Sequence, residues 1–597
     1  MGRLPFTPRF CSLEALVGFV GTLVFASFTT GSYAPLTDDP IPAPTSDLRK
    51  GDVRVADGKV LRVFEVGDLT KVAQGISLPR FDRQFERVKD RTLFDSVTGG
   101  RLEGPWGDPM IVLDLDGLSD LIRTHVDPQS WEREGTSLEA SGTKLIAIQD
   151  DEVLKKVDAL LAELRRSVRP WFELRCVAFR GIEAHGPQRL SIERARELLA
   201  RAARDGQVVF DSQTRCRAED ALCFSLDRRS AYQQDIDCEV AQGVAIHDPK
   251  IAVARGGNNI WLHLGVDPFQ KGFVLQGMAL HGELEKVDSQ NLSPIKGSVE
   301  VATTRHACAT FAVAQEGSGA FFTRVGALDL LVIVERSDGG GTPEVGTATP
   351  RFHSMLALRT AAFSRLEYHF DEHSELPSFH LGSGSDAFNV DALMSIVNLD
   401  DDSEEQIQLH NGVLVVPANH ARKDLVSQVI KTLGQQQLDC FDVELRREVE
   451  VGDGSYRLIG EPLHATSLGG KVAFVSDGKL QDYVADFNVE IAQDKGTFDP
   501  VLAAVFSGLQ VATSVTSLGD ECLVDLVVLG RELLEMRRVV EPADGSGSVD
   551  LPSVSDTTFA RTVRLQRNGE LVLGDGPLLR DGPHERRTRL VLRLRQL

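Results

Sequence analysis

Ala231-Tyr-Gln-Gln-Asp-Ile-Asp-Cys-Glu-Val-Ala-Gln-Gly-Val-Ala-Ile-His-Asp-Pro249 returns later in the chain as Asp482-Tyr-Val-Ala-Asp-Phe-Asn-Val-Glu-Ile-Ala-Gln-Asp-Lys-Gly-Thr-Phe-Asp-Pro500. Tyr232, Asp235, Glu239, Gln242, Asp248 and Pro249 reappear as Tyr483, Asp486, Glu490, Gln493, Asp499 and Pro500, each 251 residues further on. The substitutions between these anchors keep their character, as Ile236 becomes Phe487 and Val240 becomes Ile491. A second match lies upstream in the same order, where Phe172-Glu-Leu-Arg175 is answered by Glu444-Leu-Arg446 within Phe441–Arg446. A fixed-offset repeat of this kind reads as one unit written twice, and it governs the reading of the whole chain.

Outward from these anchors the two halves carry the same succession of signals. Val60–Val66 alternates like a strand, Leu118–His125 reads as a short helix, and Thr136–Ala140 with Lys144–Ile148 reads as a hairpin about Ser141-Gly142. Val153, Leu154, Val157, Leu160, Leu161 and Leu164 then fall on one helical face, with Asp150 and Asp151 at its start, arginines at its end and Pro170 beyond. After residue 350 come a strand at Leu366–Phe370, a short helix at Val390–Val397, a hairpin about Asn411-Gly412 and a helix with Leu425, Val426, Val429, Ile430 and Leu433 on one face. The first half has an extra helix, Ile192–Ala203, that the second lacks. Both halves close in hairpins: Asn258–Val266 with Gly272–Leu280, and Gly508–Leu518 with Cys522–Leu529.

The expected fold class is therefore α+β, as two tandem modules, each a small βαββα domain followed by a mostly antiparallel β-domain. The boundaries are 61–170 and 171–336 for the first module and 351–438 and 439–597 for the second, with a Gly-rich linker at 337–350. Residues 1–34 read as a signal peptide or N-terminal anchor, from Arg3 and Arg9, the apolar run Leu16–Phe28 and the small residues to Ala34; 35–60 reads as a linker. Export of this kind permits disulfides, and Cys216 with Cys223 is the nearest candidate pair among the 8 cysteines. Buried free thiols are the alternative. With a formal net charge of −22 the chain repels nucleic-acid backbones and anionic lipid.

Three groups of residues invite a chemical reading. Asp114 and Asp116, at the end of the apolar run Met110–Leu113, have the pattern of an aspartyl nucleophile with its acid/base partner in a phosphatase, but no Thr follows Gly117 and no βαβ series follows. His369, Asp371 and His373 would share a strand face and could take a metal ion, but they read better as a solvated strand end, so no metal is expected. Asp235, Glu239 and Asp248, with Asp486, Glu490 and Asp499, are duplicated carboxylates. On a strand the first two stand about 13 Å apart, too far for an acid/base pair, so they read as structural, with Asp-Pro as a turn and the tyrosines as packing anchors. No cofactor is implied.

The glycine-led strand Gly508-Leu-Gln-Val-Ala-Thr-Ser-Val, the turn Leu518-Gly-Asp-Glu, Leu523-Val-Asp-Leu, Arg561-Thr-Val-Arg-Leu-Gln and Leu571-Val-Leu-Gly574 together resemble the secretins, the ring-forming proteins of type II and type III secretion and type IV pili. The resemblance covers nearly everything after residue 60. It departs from the family where Leu579–Arg587 replaces the usual Val-Pro-x-Leu-Gly-Asp-Ile-Pro-x-Leu-Gly loop, and in having two C-terminal β-domains. It implies a non-enzymatic, exported, secretin-like envelope protein, located in the periplasm or at the outer membrane. Its expected partners are further copies of itself or other envelope proteins, with outer-membrane association possible. A metal-dependent or phosphatase-like hydrolase and a monomeric secretin-derived binding module are the alternatives.

Overall fold

Alternating apolar and polar residues organise this chain into strands, and eight of them are unusually long. They are β1 (Ala221–Ala241), β2 (Val244–Val266), β3 (Gly272–Leu292), β4 (Gly297–Glu316), β5 (Ala473–Ala492), β6 (Lys495–Leu518), β7 (Glu521–Val540) and β8 (Ser548–Gln566). At about 3.3 Å per residue, strands of this length reach roughly 65–80 Å when straight. The computed structural model describes residues 52–55, 58–70, 113–181, 186–241, 244–267, 272–292, 297–337, 350–354, 363–369, 378–383, 407–410, 413–417, 420, 423–452, 454–492, 495–540, 548–576 and 588–597. The signal-like segment, the linker after Ser337, Asp371, His373 and the helix expected at 390–397 lie outside the described residues.

The eight long strands form one antiparallel meander in chain order. β4 and β5 join the two halves of the chain, with Thr303 opposite Gln481 through to Ala309 opposite Val475. On the β4 side the sheet continues through Leu463–Leu468, Cys440–Gly452, Thr588–Gln596 and Glu570–Gly576. A separate five-stranded sheet runs in the order Gln188–Leu190, Gly319–Val325, Leu328–Arg336, Trp171–Arg180 and Gln207–Arg217. Between these sheets lies the main core, where Phe172, Leu174, Leu262, Phe273, Phe311, Phe321, Val332, Phe441, Val511 and Leu592 are buried together.

This arrangement corrects the α+β expectation. The described chain is mainly β, and its two halves do not form two self-contained modules of βαββα domain plus β-domain. The long strands of both halves share one sheet, because strands with unpaired edges must place their N–H and C=O groups somewhere and the nearest edges belong to the other half. Side-chain alternation carries no information about which strand lies alongside. The strands also outrun their expected ends. Gly256, Gly257, Gly282 and Glu283–Lys286 lie beyond the expected limits at Asn258 and Leu280, yet all are inside strands.

The long strands behave differently along their length. Near their base all eight pair continuously, but β2 leaves β3 beyond Gly257/Gly282 and β6 leaves β7 beyond Gly508/Arg531. Pairing between β4 and β5 likewise stops at Thr303/Gln481. The distal halves are thus four hairpin arms that no ladder joins to one another, though they pack together. The arm of β1 and β2 packs on both β4 and β5, with Ile236 among Val299 and Val484, and Tyr232 against Ala302.

The amino-terminal part is a sheet of Val53–Arg54, Val60–Glu65, Lys144–Gln149 and Ser137–Ser141 covered by helices Leu115–His125 and Asp151–Val168. The second helix buries Val153, Leu154, Val157, Leu160, Leu161 and Leu164, as its stripe predicts. Phe352, Val413 and Val415, from strands 351–354 and 413–416, enter the same core. Helix Ile192–Asp205 buries Ala195 and Ala202 against Val177, Phe179 and Phe322. Cys216 and Cys223 are free thiols rather than a disulfide.

Candidate functional site

The repeated stretch forms the ascending strand of a hairpin arm in each half, β1 with β2 and β5 with β6. In both, the ladder slips by one residue at the same place. The slip lies between Gln233 and Asp235 opposite Ile251 and Lys250, and between Val484 and Asp486 opposite Leu502 and Val501. A bulge of this kind frees a backbone N–H and turns the strand. Each half answers with a carboxylate from its fourth long strand. Glu300 Oε2 accepts from Gln233 N at 2.7 Å, and Asp550 Oδ2 accepts from Val484 N at 3.4 Å. Asp550 is buried, and the Arg538 guanidinium donates to it from Nε at 2.9 Å.

Tyr232 ties this arm to the second half through a buried hydrogen bond, beside the apolar contact of Ile236 with Val484. The Tyr232 hydroxyl donates to Asp482 Oδ2 at 3.0 Å, and Ala302 N donates to the same oxygen at 3.3 Å. Tyr232 and Asp482 are both buried. At the base of the same junction Arg305 holds Asp477 with two hydrogen bonds of 3.2 and 3.0 Å, and Lys479 pairs with Glu285 at 2.7 Å. Thr310 Oγ1 accepts from Phe474 N at 2.7 Å.

The other anchors are placed as follows. Tyr483 is half-buried, and Asp486 is exposed and accepts from Phe487 N at 2.8 Å. Asp248 and Pro249 are exposed while Pro500 is buried. Asp235, Glu239, Glu490 and Asp499 lie on β1, β1, β5 and β6, with their side chains outside the description; Gln242 and Gln493 lie outside the described residues. Asp248-Pro249 and Asp499-Pro500 are not turns, since both lie within strands, opposite Asp237-Ile236 and Asn488-Phe487. Proline is tolerated there because the distal half of β2 or β6 pairs along one edge only.

Sequence reasoning missed Asp482, Glu300 and Asp550. A signal for the last two was present, since Gly297-Ser-Val-Glu300-Val is echoed by Gly547-Ser-Val-Asp550-Leu. Asp482 carried none, because its counterpart in the repeat is Ala231. The hydrolase candidates fare differently. Asp114 caps helix Leu115–His125, accepting from Gly117 N at 2.6 Å, and no group of three or more metal-ligating side chains occurs among the described residues.

Two buried histidines sit where the first arms leave the sheet. His281 Nδ1 hydrogen-bonds Asn258 Oδ1 at 2.8 Å and its Nε2 meets Arg180 at 3.1 Å; His306, opposite Gly282, bonds Thr304 Oγ1 at 2.8 Å. Burial, with His281 nearby, pushes His306 down to about 4 from an ordinary 6.5. The folded state therefore resists a proton that the unfolded chain accepts in this window. Stability attributable to His306 is whole above pH 6.5 and declines as pH falls toward 4, by about 3 kcal/mol in all. Urea unfolding at pH 7, 5.5 and 4 should show this loss, and His306→Gln should show a shallower one over the same interval.

No family model matches this chain, and no curated protein matches it. The solved structures it is similar to include the Salmonella SPI-1 type III secretion injectisome secretin InvG, at 12% identity and a TM-score of 0.17, covering 42% of this chain and 88% of that one. The V. cholerae type IV competence pilus secretin PilQ follows at 9% identity and 0.15, covering 80% and 74%. The ETEC pilotin–secretin complex AspS–GspD is similar at 7% and 0.16, covering 81% and 85%. TM-scores of this size do not establish a shared fold.

Proposed function

We propose that this protein is a non-enzymatic, exported envelope component that works by association with copies of itself, as a scaffold within a secretion or pilus-type assembly. The observation that carries the reading is the open sheet. Among the described residues β1 pairs only with β2 and β8 only with β7, so the meander ends in strands of 21 and 19 residues with no ladder partner on their outer sides, although Gln233 and Asp550 bond Glu300 and Val484 of neighbouring arms. Edges of that length are templates for another strand, and soluble monomers shorten, charge or cover them. The resemblance of the Gly508–Val515 and Arg561–Gln566 strands to secretins supports the same reading.

The chain on this view carries a tandem duplication of its four long strands, β1–β4 repeated as β5–β8. The coincident bulges of β1 and β5, each with its carboxylate, support that history, and Tyr232, Asp482, Glu300 and Asp550 serve as structural anchors of the arms. Light scattering and electron microscopy of detergent-extracted protein test the function. Large particles that sediment with the envelope are expected. A strictly monomeric protein at every concentration, absent from envelope fractions, would sink the proposal.

A further inference from the structure

The two halves of the sheet carry different side chains at one equivalent point. On β2, β3 and β4, Asn258 stands opposite His281 and His281 opposite Ala307. On β6, β7 and β8 the same ladders bring Leu509, Gly530 and Thr557 together. In the first half the point is filled by the imidazole of His281. It is buried, its Nδ1 bonds Asn258 Oδ1 at 2.8 Å, and its Nε2 lies 3.1 Å from the Arg180 guanidinium. Arginine only donates, so Nε2 is the acceptor and Nδ1 carries the ring proton. The ring is neutral, because burial and then the Arg180 charge hold it below the ordinary histidine range.

In the second half the same point is a glycine, and a cleft of about 410 Å³, open to solvent, lies against it. Leu509, Val528, Phe559 and Leu590 give the cleft apolar walls. Two arginines also line it. Arg589 is engaged, donating from Nε to Glu448 Oε2 at 2.8 Å with its guanidinium 3.8 Å over the Tyr456 ring. Arg447 is half-buried, and its guanidinium makes no hydrogen bond or ion pair among the described residues. Asp477 and Glu532 act on its charge through space, yet burial prevails and pulls its pKa below the ordinary value. Each half thus sends in an arginine from the strand that follows its long helix, Trp171–Arg180 or Cys440–Gly452, though from different positions along it. The first meets an imidazole and the second meets the cleft.

We propose that the cleft at Gly530 binds a flat, neutral ring with a single hydrogen-bond acceptor, of the pyridine type, and that this acceptor takes a hydrogen bond from Arg447. The class follows from the side chains. His281 shows the ring size and the acceptor that the equivalent point takes in the first half. Leu509 in place of Asn258 offers nothing to a second ring N–H, so an imidazole would bury that proton unpaired. Asp477 and Glu532 oppose a carboxylate, and the two arginines oppose a cation. Apolar walls with one convergent polar group are the usual make-up of a small-ligand site. The site does not depend on the self-association proposed above.

Ligand-detected NMR titrations of the protein at pH 7.5 with pyridine, benzene and imidazole test the proposal. Pyridine should bind with a Kd on the order of 1 mM, and benzene and imidazole at least about fivefold more weakly. Arg447→Met should bring pyridine down to the level of benzene. Gly530→His puts the ring of the first half into the second and should abolish binding of all three; its Cβ has room, the Leu509 side chain being no closer than 3.6 Å. Equal affinities for the three rings, no binding of pyridine at about 20 mM, or an unchanged pyridine affinity in folded Gly530→His would overturn the proposal. The comparison of rings needs no variant, so it decides the matter even where a substitution prevents folding.

Discussion

Replacing Gly508 by valine is expected to lower stability by about 4 kcal/mol, near the upper end for a single substitution. Gly508 lies opposite Gly478, where β5 and β6 still pair and β6 is about to leave β7. A Cβ at Gly508 would stand 2.5 Å from the Asp477 carbonyl oxygen, 2.5 Å from the Gly478 Cα and 2.8 Å from the Phe506 ring. Two of those atoms are backbone held in a ladder, so they yield only by breaking pairs. Gly530, opposite Leu509 on the next strand, provides the control. Its Cβ would meet nothing closer than the Leu509 side chain at 3.6 Å. Gly530→Ala should therefore raise stability by about 0.5–1 kcal/mol through the unfolded chain. Denaturant unfolding of the two variants separates a steric requirement at Gly508 from a general dislike of side chains in these strands. Equal effects would contradict the argument.

Asp482→Ala is expected to cost about 3 kcal/mol and to loosen the arm of β1 and β2 from the rest of the chain. The substitution leaves the Tyr232 hydroxyl and the Ala302 N–H buried without their acceptor, and each such orphan costs about 1–3 kcal/mol. Tyr232→Phe removes one donor and leaves Asp482 its bond from Ala302, so it should cost less than half as much. The double variant Tyr232→Phe, Asp482→Ala should cost less than the sum, since the two side chains share one contact. Hydrogen exchange along β1 gives a second reading, with faster exchange near Gln233 and Ile236 in the Asp482→Ala variant. An arm as protected as before would mean that apolar packing of Ile236 on Val299 and Val484 holds it alone.

Much of the local structure was legible before any coordinates. The helix Asp151–Val168 follows from its apolar stripe, its acidic start and Pro170. The hairpins of the long strands follow from alternation, and the repeated stretch marks equivalent arms because tyrosine, the bulge and the carboxylate are local choices written twice. The lengths of the strands were not legible. Glycine usually ends a strand, yet Gly256, Gly257 and Gly282 lie where the arms diverge, a place where strands bend without stopping. Nor was Asp482, because its partner lies 250 residues away in sequence. The Asp-Pro pairs misled for a related reason. They signal turns when a strand has neighbours on both edges, and these strands lose one neighbour at that level.

Alternation, helical stripes, charge and the repeat were settled by the order of residues alone, since each depends on neighbours a few positions apart or on simple identity. The joining of both halves into one sheet, and the two edges left open at β1 and β8, were settled only in three dimensions. Main-chain hydrogen bonds are the same for every residue but proline, so the chain carries no mark of which strand will lie beside which until the sheet is assembled.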